Sequence, residues 1–285
     1  MSADIRIGFS MYPLWLEEED LSTFVAPLRS AGLSAFEFEL DRNLALWPEI
    51  NPMMEAAVGM GLDLSFHAPY RAPYSLIGFS SRRRDQVIQD YSPTLAIAEE
   101  WGRRLGSSHM VVIHAAASRL PADRESLEKD TLAFLRWGLD NYPHIRFALE
   151  NNSPARENEI EIGEQLADVL AMIEALNGER ERLKACWDMG HDYLRRGNAE
   201  PPAEWLSAVA HVHVHDVNEH GVDHYPLVFQ RVPYQNWIQA LVHAQMEGMI
   251  VLELDGRQMK SWPRKNVLSA LFQSISSIAQ EVLSG

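Results

Sequence analysis

Short apolar runs alternate with longer helical patterns along the whole sequence, and this alternation restricts the fold more than any other feature. We count eight apolar runs with strand character. They are Ile5 to Ser10, Ala35 to Leu40, Leu62 to His67, Met110 to His114, Arg146 to Glu150, Lys184 to Asp188, His211 to Asp216 and Met249 to Leu254. Strands that are separated by helices pair in parallel, so the pattern predicts an α/β protein, a single (β/α)8 barrel domain over residues 1–285.

The helical patterns between these runs carry apolar stripes, as expected of helices that pack on a sheet. The clearest stripe runs from Pro263 to Val282 and includes Phe272. A second runs from Ile162 to Leu176 and is followed by Asn177-Gly178, a pair that stops helices. We expect both stripes to lie in the core rather than around a cofactor.

Two connections are longer than a barrel needs. They run from Ala68 to about Arg84, after the third predicted strand, and from Val217 to about Pro233, after the seventh. Barrels place their active sites at the carboxyl ends of the strands, so we expect these connections to form the walls or lid of a pocket. Tyr70 would contribute aromatic surface there.

The charge balance argues against some classes of partner. The sequence has 25 Lys and Arg residues against 40 Asp and Glu residues, a formal net charge of -15. This charge opposes non-specific binding to nucleic acid or to anionic membranes, although a local cationic site could still bind nucleic acid. Cys186 is the only cysteine, which rules out an intrachain disulfide. We find no secretory signal pattern and no membrane-length apolar run, and we therefore expect a cytoplasmic location.

Residues that can bind metal ions stand at or near the ends of six predicted strands. They are His67, His114, Glu150, Asp188, His213 or His215, and Glu253. Strand ends meet at one mouth of a barrel, so a shared metal site explains these residues better than six separate buried polar groups. Mixed imidazole and carboxylate ligands suit zinc, manganese, cobalt or iron. These residues predict a divalent metal ion, with zinc or manganese preferred.

The seventh predicted strand carries a histidine at every second position. The rings of His211, His213 and His215 therefore share one face of the strand. Residues two apart along a strand are separated by roughly 6.6 Å, so one metal ion cannot bind all three rings. At most one of the three is expected to be a ligand of a given ion.

Six motifs at these strand ends carry a resemblance to a known family. They are Phe66-His67-Ala68-Pro69-Tyr70, Val112-Ile113-His114, Leu149-Glu150-Asn151, Asp188-Met189-Gly190-His191, His213-Val214-His215-Asp216 and Leu252-Glu253. In this order and spacing they resemble the strand ends of the xylose isomerase-like TIM barrels. That superfamily includes sugar-phosphate isomerases and epimerases, hydroxypyruvate isomerase, inosose dehydratase and endonuclease IV. The similarity runs through nearly the whole chain.

The resemblance implies a set of metal ligands. A central site shared across the superfamily is matched by Glu150, Asp188, His213 and Glu253. His67 and His114 match the ligands of a second metal ion in endonuclease IV, with Glu150 as the bridge. His191 and His224 match two ligands of its third metal ion.

By the resemblance, His213 is the metal ligand of the seventh strand. His215 lies two positions nearer the mouth and is better placed to contact the substrate or the metal ligands, while His211 lies deeper and is expected to be a core histidine. After this strand the sequence departs from endonuclease IV. Its Asp-x-His pair appears here as Val222-Asp223-His224, and Val228-Phe229-Gln230 replaces its Gly-Glu-Gly. These departures argue against the third metal ion and the DNA-binding loops of that enzyme.

The leading hypothesis is a metal-dependent isomerase or epimerase that acts on a small sugar, sugar phosphate or polyol-derived hydroxy-carbonyl compound. A metal ion would stabilise an enediolate, while Glu150 and Glu253, from opposite sides, remove and return the proton. The candidates for binding the substrate are His191, His215, Tyr70 and Glu37. A solvated or structural role suits Glu37 equally well.

The alternative hypothesis is a di- or tri-metal phosphodiesterase of the endonuclease IV type, which acts on abasic sites. His67 and His114 favour it, because a single central metal ion does not need them. Arg82-Arg83-Arg84 could bind phosphate, although such a run is more often a solvated helix start. A third hypothesis is a barrel that binds a ligand without turning it over. The sequence leaves the substrate, the metal and the oligomeric state open.

Overall fold

The structure is a computed structural model, and it describes residues 4–12, 21–70, 73–118, 123–155, 160–176, 178 and 181–284. Among these residues, eight long parallel strands alternate with helices in the (β/α)8 barrel that the sequence predicts. The predicted helix stop at Asn177 lies outside the described residues. In the described part of the chain, no helix has both the length and the apolar character needed to cross a membrane.

The strands and helices have the following bounds. The strands are β1 Ile5–Tyr12, β2 Ala35–Glu39, β3 Asp63–His67, β4 His109–Ile113, β5 Ala117–Ser118, β6 Ile145–Glu150, β7 Ile160–Glu161, β8 Leu183–Asp188, β9 Val209–Val214 and β10 Gly248–Asp255. The helices are α1 Leu21–Arg29, α2 Arg42–Ala45, α3 Ile50–Gly59, α4 Arg84–Leu105, α5 Arg124–Asn141, α6 Leu166–Ala175, α7 Met189–Arg196, α8 Ala203–Ala208, α9 Tyr234–His243 and α10 Arg264–Ser284, with a 3-10 helix at Gly256–Met259.

The predicted strands are all present, and their bounds differ from the prediction by at most two residues. The central residues of the two predicted apolar stripes are buried on helices, but the prediction is wrong at Phe272 and Ile162. Phe272 is 40% exposed, because it lies one residue, and therefore about 100° of helical rotation, beyond the buried Leu271. Ile162 is buried but precedes α6, which begins at Leu166.

The chain divides into two compact units. Unit 1 comprises Met1–Glu37, Asn51–Leu64 and Asp188–Gly285, and unit 2 comprises Phe38–Ile50 and Ser65–Trp187. That residues 1–285 form one domain stays a prediction.

Unit 1 contains the parallel pairs of β10 with β1 and with β9. Ala35 of β2 forms a buried cluster with Met249 and Val251 of β10. The long helix α10 contributes the fully buried Val267 and Ile275 to the core. The apolar stripe of α10 therefore packs inward, as its 3.6-residue period predicts.

Unit 2 contains the parallel pairs of β4 with β3, β4 with β6, and β6 with β8. The buried thiol of Cys186 packs with Val112 and Ala148. A short antiparallel pair, β5 with β7, follows the ends of β4 and β6 along the chain. At the other end of the strands, the Arg182 guanidinium donates to the carbonyl oxygens of Ile145, Leu139 and Tyr142.

A buried aspartate fixes the long connection that follows β3 in unit 2. Asp130 of α5 accepts the backbone N–H groups of Gly78 and Ser80 at 2.5 and 2.8 Å. It also accepts the Ser80 hydroxyl at 2.5 Å. Hydrogen bonds to a carboxylate are stronger than those between neutral groups, so Asp130 holds the part of this connection around Gly78 and Ser80 in a defined conformation.

A second buried aspartate fixes the long connection that follows β9 in unit 1. One oxygen of Asp216 accepts the N–H groups of Phe229 and Gln230 at 2.6 and 2.7 Å, and the other accepts those of Arg231 and Val232 at 3.1 and 3.4 Å. Backbone hydrogen bonds also join Asp216 to Tyr225. The predicted pocket wall after the seventh strand is therefore anchored at the strand end itself.

Candidate metal centre

Two histidines converge on one glutamate at the strand ends of unit 2. His67 ends β3, His114 directly follows β4, and Glu150 ends β6. The Nε2 atoms of His67 and His114 lie 3.2 and 3.0 Å from the same oxygen, Oε2 of Glu150. Glu150 and His67 are buried, and His114 is nearly so.

The other ring nitrogen of each histidine fixes its tautomer. Nδ1 of His67 lies 2.8 Å from the carbonyl oxygen of Ala68. Nδ1 of His114 lies 2.5 Å from Oδ1 of Asn152, whose amide nitrogen donates to the carbonyl of Ile162 at 2.8 Å. A carbonyl oxygen can only accept a hydrogen bond, so both Nδ1 atoms carry the proton.

In the neutral form of each ring, the Nε2 lone pair therefore faces a carboxylate oxygen. Two acceptors at this distance repel unless a proton or a metal ion lies between them. Histidines that bind metal ions usually donate their second ring N–H to a carbonyl or a carboxylate, as His67 and His114 do. The donor chemistry of this group fits a divalent ion with nitrogen and oxygen ligands.

Tyr70, predicted to contact the substrate, lies beside the same two histidines. Its ring stacks on that of His114 with centroids 4.4 Å apart and planes 17° apart. The ring of His67 lies 5.0 Å from it. Tyr70 is half-buried, and its ring lies against the rings of both histidines.

The sequence analysis did not single out Asn152, which connects the short sheet of unit 2 to His114. Its backbone N–H donates to Gly163, and its side-chain amide donates to Ile162, next to β7. We expect Asn152→Leu to lower the affinity for one zinc ion by about 10–100-fold, because His114 loses the acceptor that sets its tautomer. Competition titration with a zinc chelator measures this change.

Two matched variants separate this effect from general loss of structure. Asn152→Asp keeps an acceptor for His114 and should bind zinc more tightly than the leucine variant. Asn141→Leu removes an exposed amide of α5 and should leave affinity unchanged. Equal affinities for Asn152→Leu and the wild type would contradict the role of Asn152.

A second group of ligand types lies at the strand ends of unit 1. Asp188 ends β8, His213 is the penultimate residue of β9, and Glu253 lies near the end of β10. These three side chains are buried, and their ligand atoms lie within 4.8 Å of one another. They are three of the four residues that the resemblance assigns to a central metal site.

His213 lies between two carboxylates. Its Nε2 is 2.9 Å from Oε1 of Glu37, and its Nδ1 is 3.2 Å from Oε2 of Glu253. With the proton on Nε2, Glu37 orients the ring and Nδ1 presents its lone pair beside Glu253. This carboxylate–histidine pair is the usual support of a metal-bound histidine.

Glu37 is engaged inside unit 1 through both oxygens. Its second oxygen lies 2.8 Å from Nε2 of His211, the deepest histidine of β9. Burial alone would raise the pKa of Glu37, but the attraction and hydrogen bonds of His213 and His211 hold that pKa well below its usual value. These contacts favour the structural role that the sequence left open for Glu37, and they place His211 in the core.

His191 and His224 lie beside Asp188 and Glu253. Nδ1 of His191 is 3.3 Å from Oδ2 of Asp188, and Nε2 of His224 is 3.4 Å from Oε2 of Glu253. Burial alone would lower the pKa of His224, but the hydrogen bonds and charges of Asp223 and Glu253 raise it well above its usual value. Asp188, His191, His215 and His224 all place one ligand atom within 4.8 Å of the others.

His224 has an unusual backbone conformation. Its φ of 59° lies in the left-handed region, which few residues other than glycine adopt. Its carbonyl oxygen accepts the N–H of Asp255 at 3.1 Å, and its Nδ1 lies 3.0 Å from Asp223. Asp223 and His224 therefore pair with each other in the connection that follows β9.

The arginine run after the third strand is partly engaged within its own connection. Arg83 donates to the carbonyl of Ile77, and the guanidinium of Arg84 lies 4.6 Å from the centre of the Phe79 ring. These contacts favour a structural role for Arg83 and Arg84 over the phosphate site that the sequence allowed.

Parallel strands that end in metal-ligand residues define the protein as a barrel with a candidate metal centre. Comparison with known families identifies the family to which the chain belongs. The family model for the xylose isomerase-like TIM barrel matches residues 25–277, and the chain belongs to this family. No curated protein sequence matches the chain significantly.

Solved structures share the fold at low sequence identity. A D-tagatose 3-epimerase-like protein is 19% identical with a TM-score of 0.71, and the match covers 98% of this chain and 97% of that one. D-allulose 3-epimerase from Methylomonas sp., in complex with D-allulose, is 14% identical with a TM-score of 0.66 over 99% and 97% of the two chains. The IOLI protein with a bound zinc atom is 13% identical with a TM-score of 0.63 over 98% of each chain.

Proposed function

We propose that the chain is a metal-dependent isomerase or epimerase of a small hydroxy-carbonyl compound such as a sugar. The observation that carries this proposal is the convergence of Asp188, His213 and Glu253 within 4.8 Å, with His213 oriented by Glu37. Glu150 is the fourth ligand by the family resemblance. Two structural neighbours, a D-tagatose 3-epimerase-like protein and a D-allulose 3-epimerase, support the reaction class.

The donor set suits zinc or manganese, since it combines imidazole with carboxylates and offers no thiolate. A divalent ion, when bound, polarises the substrate carbonyl and stabilises the negative charge that develops on its oxygen. The zinc atom of one structural neighbour supports this choice. The number of ions, from one to three, depends on whether the His67 and His114 group and the His191 and His224 group each bind an ion.

The proposed residues divide the proton transfer between two carboxylates. One of Glu150 and Glu253 removes the proton from the carbon next to the carbonyl, and the other returns a proton to the adjacent position or the opposite face. His191 is the candidate for binding a substrate hydroxyl, and Tyr70 for packing against the sugar. A small-molecule substrate and a cytoplasmic location are part of this proposal.

The test combines metal analysis with solvent exchange. Purified protein should contain zinc or manganese by mass spectrometry, and free ketoses incubated with it in D2O should gain deuterium at the carbon next to the carbonyl. If the purified protein contains no metal and binds none when zinc or manganese is added, both the isomerase function and the phosphodiesterase alternative are refuted. Metal-loaded protein that exchanges no proton in any ketose, ketose phosphate or inosose would refute the isomerase.

A second function, a multi-metal phosphodiesterase, is favoured by one observation. His67 and His114 both direct Nε2 at one oxygen of Glu150 within unit 2, an arrangement suited to a second ion. Metal-loaded protein that cleaves an abasic-site duplex, without solvent exchange into ketoses, would favour this function. The net charge of -15 opposes tight binding to the DNA backbone.

A further inference from the structure

The ring of His215 has the tautomer opposite to those of His67 and His114. Its Nδ1 accepts the backbone N–H of His224 at 3.0 Å. A nitrogen that accepts a hydrogen bond carries no proton, so the proton of the neutral ring lies on Nε2. That Nε2 lies 3.1 Å from both oxygens of Asp188 and donates to them.

This tautomer is unsuited to metal binding. A neutral histidine binds a metal ion through the nitrogen without a proton and donates from the other one. In His215 the nitrogen without a proton already accepts a backbone N–H, and the nitrogen nearest Asp188 carries the proton. His215 lies close enough to Asp188, His191 and His224 to share a metal ion with them. Its hydrogen bonds, however, leave no ring nitrogen free to bind the ion.

The connection after β9 determines the tautomer of His215. The ring of His224 stacks on that of His215 with centroids 4.1 Å apart and planes 14° apart. The same residue supplies the N–H that His215 accepts, and Asp255 fixes its carbonyl. This connection is anchored by Asp216. His215 therefore contacts the connection at His224 on one side and Asp188 on the other.

We propose that His215 is a positioning residue: its Nε2–H orients Asp188 for metal binding, and the His224 backbone amide fixes the tautomer that makes this possible. The proposal rests on the proposed function, because it requires Asp188 to bind a metal ion. It predicts that displacement of the connection would weaken the metal site, although His215 never contacts the ion. The connection and the metal site are therefore energetically coupled.

The tautomer can be measured in the wild-type protein. In protein labelled with 15N-histidine, we expect His215 to show a protonated Nε2 and a pyridine-type Nδ1, before and after zinc addition. The His215→Gln variant assigns the resonance by its absence. A protonated Nδ1 in the wild-type protein, or loss of the Nε2 proton when zinc binds, would overturn the proposal.

Zinc affinity of two variants tests the positioning role. The side-chain amide of His215→Gln offers an oxygen to the His224 N–H and an N–H to Asp188, whereas His215→Leu offers neither. We expect the leucine variant to bind zinc about 10–100-fold more weakly and the glutamine variant to recover most of this loss. His220→Leu, in the same connection and with a side chain 76% exposed, is the matched control and should bind as the wild type does.

The outcomes separate this proposal from the proposed function. A wild-type protein that binds no zinc or manganese would refute the function, and the metal-positioning role of His215 with it, while the NMR experiment still reports the tautomer. If the wild type binds zinc and His215→Leu binds it equally well, or glutamine recovers nothing over leucine, the positioning role is wrong and the proposed function stands.

Discussion

Glu150→Gln is expected to abolish turnover and to lower the metal content of the protein. The amide has the shape of the carboxylate but lacks its charge, so it cannot act as a general base or neutralise a divalent ion. Its NH2 group can also donate to the Nε2 atoms of His67 and His114, which Glu150 now faces at 3.2 and 3.0 Å. We expect kcat/KM to fall by at least about 10²–10⁴-fold, the range for loss of a general acid or base.

The matched control for this variant lies on the surface of the same unit. Glu128 pairs with Arg124 one helical turn away on α5, and both side chains are more than 40% exposed. Glu128→Gln should keep wild-type turnover and metal content, because exposed pairs contribute little to stability. Wild-type turnover by Glu150→Gln would remove Glu150 from the proposed site under either enzymatic function.

The fold could be predicted because each βα unit is encoded locally. Apolar runs of strand length and helical stripes with a 3.6-residue period occur in strict alternation, and this order specifies parallel pairing. Phe272 is exposed because neighbouring elements decide whether a residue at the edge of a helical stripe lies in the core or on the surface. The residues next to Phe272 in the sequence therefore do not determine whether its side chain is buried.

The positions of the candidate ligands were predictable for the same reason. A residue at the end of a strand is identified once the strand is, and His67, Glu150 and Asp188 all end strands in the structure. That these residues bind a metal ion stays a prediction. Their hydrogen-bond partners could not be predicted, because Asn152 and Glu37 act through contacts with residues distant in sequence.

The histidines of β9 and its end show the difference most clearly. The spacing of His211, His213 and His215 makes the three residues alike, and their hydrogen-bond partners show how each ring is held. Glu37 contacts the first two, while the backbone of His224 contacts the third. Protonation of a ring nitrogen depends on such contacts, so the chemical role of each histidine follows from tertiary structure.

Gly190→Ala is expected to destabilise the protein and to displace His215. A Cβ atom at Gly190 would fall on the His215 ring, well inside van der Waals contact with three of its atoms. The ring is fully buried, stacked on His224 and hydrogen-bonded to Asp188, so it cannot turn aside without losing these contacts. We expect a loss of about 1–3 kcal/mol in the free energy of unfolding, as for other overpacked sites, measured by urea denaturation.

A double-mutant cycle tests whether the ring is the cause. In a His215→Ala background the space is open, so adding Gly190→Ala should cost less than about 0.5 kcal/mol, near the limit for independent sites. Gly59→Ala is the matched control, because nothing lies within 4 Å of the new Cβ. This substitution near the end of α3 should be neutral or stabilising by up to about 1 kcal/mol. If Gly190→Ala lowers the free energy of unfolding equally in the wild type and in His215→Ala, the cause is the backbone at Gly190. In that case, the contact with the His215 ring does not explain why a glycine is needed there.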